Sequence, residues 1–170
     1  MFHKSNGRMA ALALAVLAVD QFTKWMVVHS LAPDEERVII PGFFKFVHWG
    51  NTGAAWSIFS GNNSLLVVVM LLAFAALFLT RRHFDADRLP GQIAFGLLFG
   101  GIAGNLADRL ARHQVVDFIR FYAQLRGTGG EIGFPAFNVA DTAICSGVGL
   151  IFLITWRSDR APGKEAPAAK

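Results

Sequence analysis

The chain has 170 residues, of which 54% are hydrophobic and only 16% charged, with a formal charge of +4. Soluble domains carry about 25% charged residues, so this deficit and the long apolar runs exclude an ordinary soluble domain and point to an integral membrane protein. The positive charge does not signal nucleic-acid binding, because the Lys and Arg residues flank the apolar runs and form no patch.

Lys4 and Arg8 precede the first predicted span, about residues 9–28. The same pattern resembles a secretory signal, with "SLA" at 30–32 as its cleavage site. Asp20 and Lys24 interrupt the apolar stretch well before that point and favour a retained helix. In the following loop, 29–63, "RVIIPGFFKFVHWG" reads as two short strands around a Pro-Gly turn. "AAWSIF" at 54–59 reads as a short interfacial helix, with Trp56 and Phe59 toward lipid. The second span, about 64–80, has no charge and is expected to be a lipid-facing scaffold with Ser64 as its N-cap.

The third span is about 91–110, where Gly96, Gly100 and Gly104 make a smooth face for a neighbouring helix. The loop 111–135 holds strand-like sequence at 113–122 and a turn or flexible loop, "RGTGGEIG", at 126–133. The fourth span is about 136–156 and contains the single cysteine, Cys145, read as a small apolar residue with no disulfide partner in the chain. Residues 1–156 are thus expected to form one integral membrane domain and 157–170 a disordered tail. The expected fold is a mainly α membrane protein, four transmembrane helices with a small extracytoplasmic β-sheet at the outer interface.

Lys and Arg concentrate in the N-terminal tail, in the 2–3 loop (Arg81, Arg82 and Arg88) and in the C-terminal tail. The positive-inside bias therefore predicts both termini cytoplasmic and the two longer loops outside. With that orientation the polar residues of the spans share one level, the outer interface: Asp20 and Lys24, then Asn105, Asp108 and Arg109, then Asn138 and Asp141, with Asn51 and Asp117 in the outer loops. Intramembrane ionisable groups are candidates for function. Structural ion pairing is the plainer reading for Asp20 with Lys24 and for Asp108 with Arg109, and interhelical hydrogen bonding for Asn105.

Asp117 and Asp141 stand apart, because "QVVDFIRF" and "NVADTAI" set each among apolar residues with no adjacent cation. Two carboxyl groups brought close together share a proton. One then acts as general base on water and the other donates a hydrogen bond to a carbonyl oxygen, the chemistry of aspartic peptide hydrolysis. Spacing alone leaves structural and transport roles open beside it.

Five blocks carry a more specific signal: "DQFTK" at 20–24, "NTGAAWS" at 51–57, "GGIAGNLADR" at 100–109, "VVDF" at 115–118 and "FNVADTAI" at 137–144. In this order on four spans they resemble the bacterial lipoprotein signal peptidases (signal peptidase II) over about residues 9–156. The resemblance implies a four-helix inner-membrane aspartic endopeptidase that cuts diacylglyceryl-modified prolipoproteins just before the lipidated cysteine. It implies Asp117 and Asp141 as catalytic residues. Its motif positions also include Asp20, Lys24, Asn51, Gly53, Ala54, Gly104, Asn105, Arg109, Asn138 and Ala140. Asn51, Gly53, Asn105, Arg109 and Asn138 are the expected substrate-positioning residues, and Asp20, Lys24 and Asp108 the structural polar ones. Besides the prolipoprotein, only membrane lipids are expected as partners, with a monomeric chain, no nucleic acid, no cofactor and no metal.

The rivals are a proton-coupled transporter and a non-catalytic assembly factor. A transporter needs polar groups across the whole thickness, and the inner halves of spans 2, 3 and 4 offer almost none. The outer-loop histidines His48 and His113 lie in no nucleophile motif, and no H-E-x-x-H occurs.

Overall fold

The computed structural model describes residues 2–53, 61–84, 86–125, 127 and 130–159. The elements run α1 (Phe2–Ser30), β1 (Glu36–Ile40), β2 (Phe44–Asn51), α2 (Asn63–Thr80), a 3-10 turn (Arg81–Phe84), α3 (Leu89–Arg112), β3 (Val115–Gln124), β4 (Glu131–Gly133) and α4 (Val139–Asp159). Each of the four helices is long and apolar enough to cross a membrane. The small sheet is antiparallel throughout, in the order β1-β2-β3-β4, and stands at one end of the bundle.

α3 is the central helix. Its Gly96, Gly100 and Gly104 let α1 approach so closely that an added Cβ would run into Leu12, Val16 and Asp20 respectively. On another side Gly101 meets the backbone and Ile144 of α4. The glycines are therefore a packing device, as expected. Phe95, Leu98 and Phe99 of α3 form the core with Met9 and Ala86. α2 packs lightly on α3, and Leu66 is its buried residue, consistent with a scaffold helix that faces lipid.

Four expectations need correction. The N-cap of α2 is Asn62, whose side chain accepts from the Leu65 amide, instead of Ser64; the chain enters the helix two residues earlier, so Ser64 already lies within it. Residues 131–133 form β4 against β3 instead of belonging to a plain turn, because Lys45 of β2 binds Glu131 at 2.7 Å and Glu36 of β1 at 2.5 Å, tying the sheet across its width. α4 begins at Val139 instead of about 136, because Phe137 is engaged with β3. The expected interfacial helix at 54–59 lies outside the described residues. The expected disordered tail, 157–170, is helical as far as Asp159, where α4 ends, and lies outside the described residues from 160 onward.

Candidate active site

Two local devices carry Asp141 and Asp117 to one place. The first is the start of α4. Asn138 Oδ1 accepts the Asp141 amide at 2.9 Å, and Asp141 Oδ2 accepts the Asn138 amide at 3.2 Å. This reciprocal pair is a capping box, which satisfies two amides that a helix start leaves without partners. The second is the path of β3. His113 takes a left-handed conformation (φ 60°) at the end of α3 and turns the chain back. The Val116 amide then donates to Asp108 Oδ2 at 3.2 Å. Further on, Ile119 and Phe137 exchange amide–carbonyl bonds at 2.8 and 3.0 Å, which stitches β3 to the residue just before the α4 cap.

Asn138, fully buried, is the common member. Its Nδ2 donates to Asp117 Oδ1 at 2.8 Å, while its Oδ1 and backbone amide serve Asp141. The same Nδ2 lies 3.2 Å from Asn105 Oδ1 and 3.3 Å from the Val116 carbonyl. The second Asp117 oxygen, Oδ2, accepts from Asn51 Nδ2 at 2.9 Å. The second Asp141 oxygen, Oδ1, accepts from Asn105 Nδ2 at 2.7 Å. The amide orientations follow from this wiring. Asn51 Oδ1 is occupied by the Gly53 amide and Asn138 Oδ1 by the Asp141 amide, so both Nδ2 groups turn toward Asp117.

Asp117 is 4% exposed. Burial and the neighbouring Asp141 charge push its carboxyl up to about 7, against the opposing pull of the Asn51 and Asn138 amides and of Lys24. A carboxyl group poised there can hold or release a proton at neutral pH.

Around the pair lies a second, fully paired layer. The Lys24 ammonium gives one contact of 2.9 Å each to Asp20 Oδ2, Asp108 Oδ2 and Asn105 Oδ1, which uses all its donors. Asp20 Oδ1 accepts the Ala140 amide at 2.9 Å, so α1 also caps α4. Among the described residues of this cluster three cations, Lys24, Arg109 and Arg112, face four carboxyl groups, Asp20, Asp108, Asp117 and Asp141. The cluster is therefore neutral when the Asp117–Asp141 pair holds a single proton.

The structure brings together Asp117, Asp141, Asn51, Asn105 and Asn138 as expected, and pairs Asp20 with Lys24. It does not pair Asp108 with Arg109. Asp108 binds Lys24 and, at 2.5 Å, Arg112 one turn on, because adjacent residues point to different sides of a helix. Arg109 instead donates to the Gly53 carbonyl at 2.5 Å and to Asn63 Oδ1 at 3.3 Å, while Asn63 Nδ2 returns a bond to the Arg109 carbonyl at 3.1 Å. A chain of hydrogen bonds thus runs from Asn63 through Arg109, Gly53 and Asn51 to Asp117. Asn63 was not legible as a site residue, since "GNNS" reads as an ordinary loop and cap. Gln21 was missed as well. Its Nε2 lies 3.1 Å from Asp20 Oδ2, 3.1 Å from the Gly104 carbonyl and 3.3 Å from Asp108 Oδ1, and its place inside "DQFTK" was the available signal.

Against known proteins, residues 12–157 match the family described as signal peptidase (SPase) II. The chain belongs to the signal peptidase II family. The chain is 40% identical over 142 residues to a lipoprotein signal peptidase of Symbiobacterium thermophilum, covering 84% of this chain and 90% of that one. A lipoprotein signal peptidase of Geobacillus thermodenitrificans is 39% identical over 143 residues, 84% and 85% of the two chains. Two solved bacterial membrane enzymes superpose with TM-scores of 0.74 and 0.72 at 30% and 31% identity, covering 95% and 92% of this chain and 94% and 95% of theirs. Family membership and the four apolar helices make this a multi-pass bacterial membrane peptidase. The buried polar residues of its described part gather at the sheet end, with Gln92 alone near the other end of α3.

Proposed function

We propose that this signal peptidase II removes signal peptides from diacylglyceryl-modified prolipoproteins, cutting just before the lipidated cysteine by a two-aspartate mechanism. The observation that carries the reading is Asn138, which joins Asp117 and Asp141 by three hydrogen bonds at the sheet end of the bundle. The positive-inside bias puts that end outside and both termini in the cytoplasm. A lipid-anchored scissile bond lies near the interface, where water also reaches, and the pair stands at that depth.

In the reaction one carboxyl group of the pair is ionised and the other protonated. The carboxylate takes a proton from water as the oxygen attacks the scissile carbonyl carbon. The carboxylic acid gives its proton to the carbonyl oxygen. Collapse of the tetrahedral intermediate breaks the C–N bond. The proton taken from water passes to the leaving cysteine amine, one hydroxyl proton of the intermediate returns to the carboxylate that had protonated the carbonyl oxygen, and the signal peptide departs as a carboxylic acid while the pair again holds one proton. Asn51, Asn105 and Asn138 hold the two carboxyl groups in orientation. Arg109 and Gly53 fix the segment that carries Asn51, so these five residues position the substrate through the orientation they give the two carboxyl groups. Neither a metal nor a cofactor takes part.

The test is processing of a purified diacylglyceryl-modified prolipoprotein by wild type and by Asp117→Asn. Asp117→Asn and Asp141→Asn should each lose nearly all turnover, and the double variant should be little worse, because the two act as one unit. Substantial cleavage by Asp117→Asn, free of contaminating peptidase and of deamidation back to Asp, would refute the mechanism.

A further inference from the structure

The chemistry above leaves the opposite half of the bundle unused, and a groove lies there. α1 and α2 both pack on α3 but scarcely on each other, which leaves a cleft of about 500 Å³. Phe99 of α3 is its floor, Met9, Ala13 and Leu17 line it from α1, and Phe74 and Phe78 from α2. Two polar residues among its described lining, Asn6 and Arg81, stand together at the end away from the sheet. From residue 6 to residue 17 a helix rises about 17 Å, close to half of the ~30 Å hydrocarbon thickness. The groove is thus as long as one leaflet, apolar along its length and cationic at its mouth.

We propose that this groove binds an anionic phospholipid, one acyl chain lying between α1 and α2 and the phosphate against Arg81 and Asn6. The Arg81 guanidinium is held at the mouth by the Phe78 ring, 3.9 Å from its centroid, and by a bond to the Phe78 carbonyl. A guanidinium has five donors in a planar fork that matches phosphate oxygens, and basic pockets between transmembrane helices hold anionic headgroups. Charge also rules out the other apolar segment that meets this enzyme. The n-region of a signal peptide is positive and would face Arg81 as a like charge. That the mouth lies in the cytoplasmic leaflet, where it would meet the n-region, rests on the orientation proposed above; the match of the Arg81 guanidinium to a phosphate does not.

Native mass spectrometry of the purified full chain in neutral detergent tests this, with phosphatidylglycerol and phosphatidylcholine of identical acyl chains as probes. Wild type should retain one phosphatidylglycerol at about fivefold lower lipid concentration than phosphatidylcholine. Arg81→Ala should bring the two lipids level. Arg157→Ala, in the last turn of α4 and outside the groove, should leave the preference intact. Equal retention of both lipids by wild type would overturn the proposal without any variant having to fold. A loss in Arg157→Ala equal to that in Arg81→Ala would overturn it too, as the mark of bulk surface charge. The readout uses neither peptidase activity nor a bilayer, so its failure is distinct from failure of the catalytic or topological reading.

Discussion

Replacing Asn51 by Ala removes one of the two side-chain amides that donate to Asp117, the 2.9 Å bond to Oδ2. That bond favours the ionised carboxyl, so its loss raises Asp117 further above the value of about 7 that burial and Asp141 already impose. A hydrogen bond to a charged group is worth about 1.5–3 kcal/mol, which converts to roughly 1–2 pH units at 1.36 kcal/mol each. Asn51 is only half-buried, so water can take its place and recover part of this. The expected displacement is therefore ~0.5–1 pH unit, toward higher pH. The pH profile of prolipoprotein cleavage by Asn51→Ala, compared with wild type over the same range, measures it. Both limbs of the bell belong to the carboxyl pair, so the whole profile is read. The limb near pH 7 should move up with Asp117, while the maximal turnover falls because one of the two side-chain bonds that orient Asp117 is gone; the protein stays folded, because the Asp20–Lys24–Asp108 layer is untouched. A profile that stays in place or moves to lower pH would refute the role given to Asn51.

Lys24→Met leaves Asp20 and Asp108 as buried carboxylates without their shared cation. It should cost about 3–5 kcal/mol, read as a large drop in the thermal unfolding temperature, and a near-normal melt would show that the ammonium is dispensable. Asp20→Ala should act in the same way, through stability, since it also takes the cap from the Ala140 amide. Asn63→Ala unties Arg109 and should slow turnover about tenfold, the value of one charge-assisted bond, with little change in KM. Asn63→Asp restores the acceptor and should recover part of the rate, and equal rates in the two variants would remove Asn63 from the chain that holds Asn51. For topology, single cysteines at Asp87 and Gln124, placed in a Cys145→Ala background, should label from the cytoplasmic and the outer side respectively, and the reverse pattern would invert the assignment of the site to the outer face.

The sequence by itself determined the class of the protein, the number of spans and the level at which the polar residues gather, and it singled out the two aspartates proposed as the catalytic pair. Those are properties of composition, of apolar run length and of motifs in order, and each can be read without knowing how any two segments touch. "NVAD" carries the spacing of a capping box, and Asp108 to Arg112 is an i, i+4 pair, whereas Asp108 and Arg109, being adjacent, face different ways. What only the tertiary structure decided is which groups meet. Asn138 reaches Asp117 because β3 is stitched to Phe137 by a two-bond bridge, and a one-residue slip of that pairing would turn Asp117 to the other face of the strand. Lys24 finds Asp108 and Asn105 because Gly100 and Gly104 let α1 come close enough to α3 for one ammonium to touch three acceptors. Helical period places residues on a face of their own helix. The rotation and depth at which that face meets its neighbour are set by burying every side chain of the interface at once, and no stretch of sequence holds that information alone.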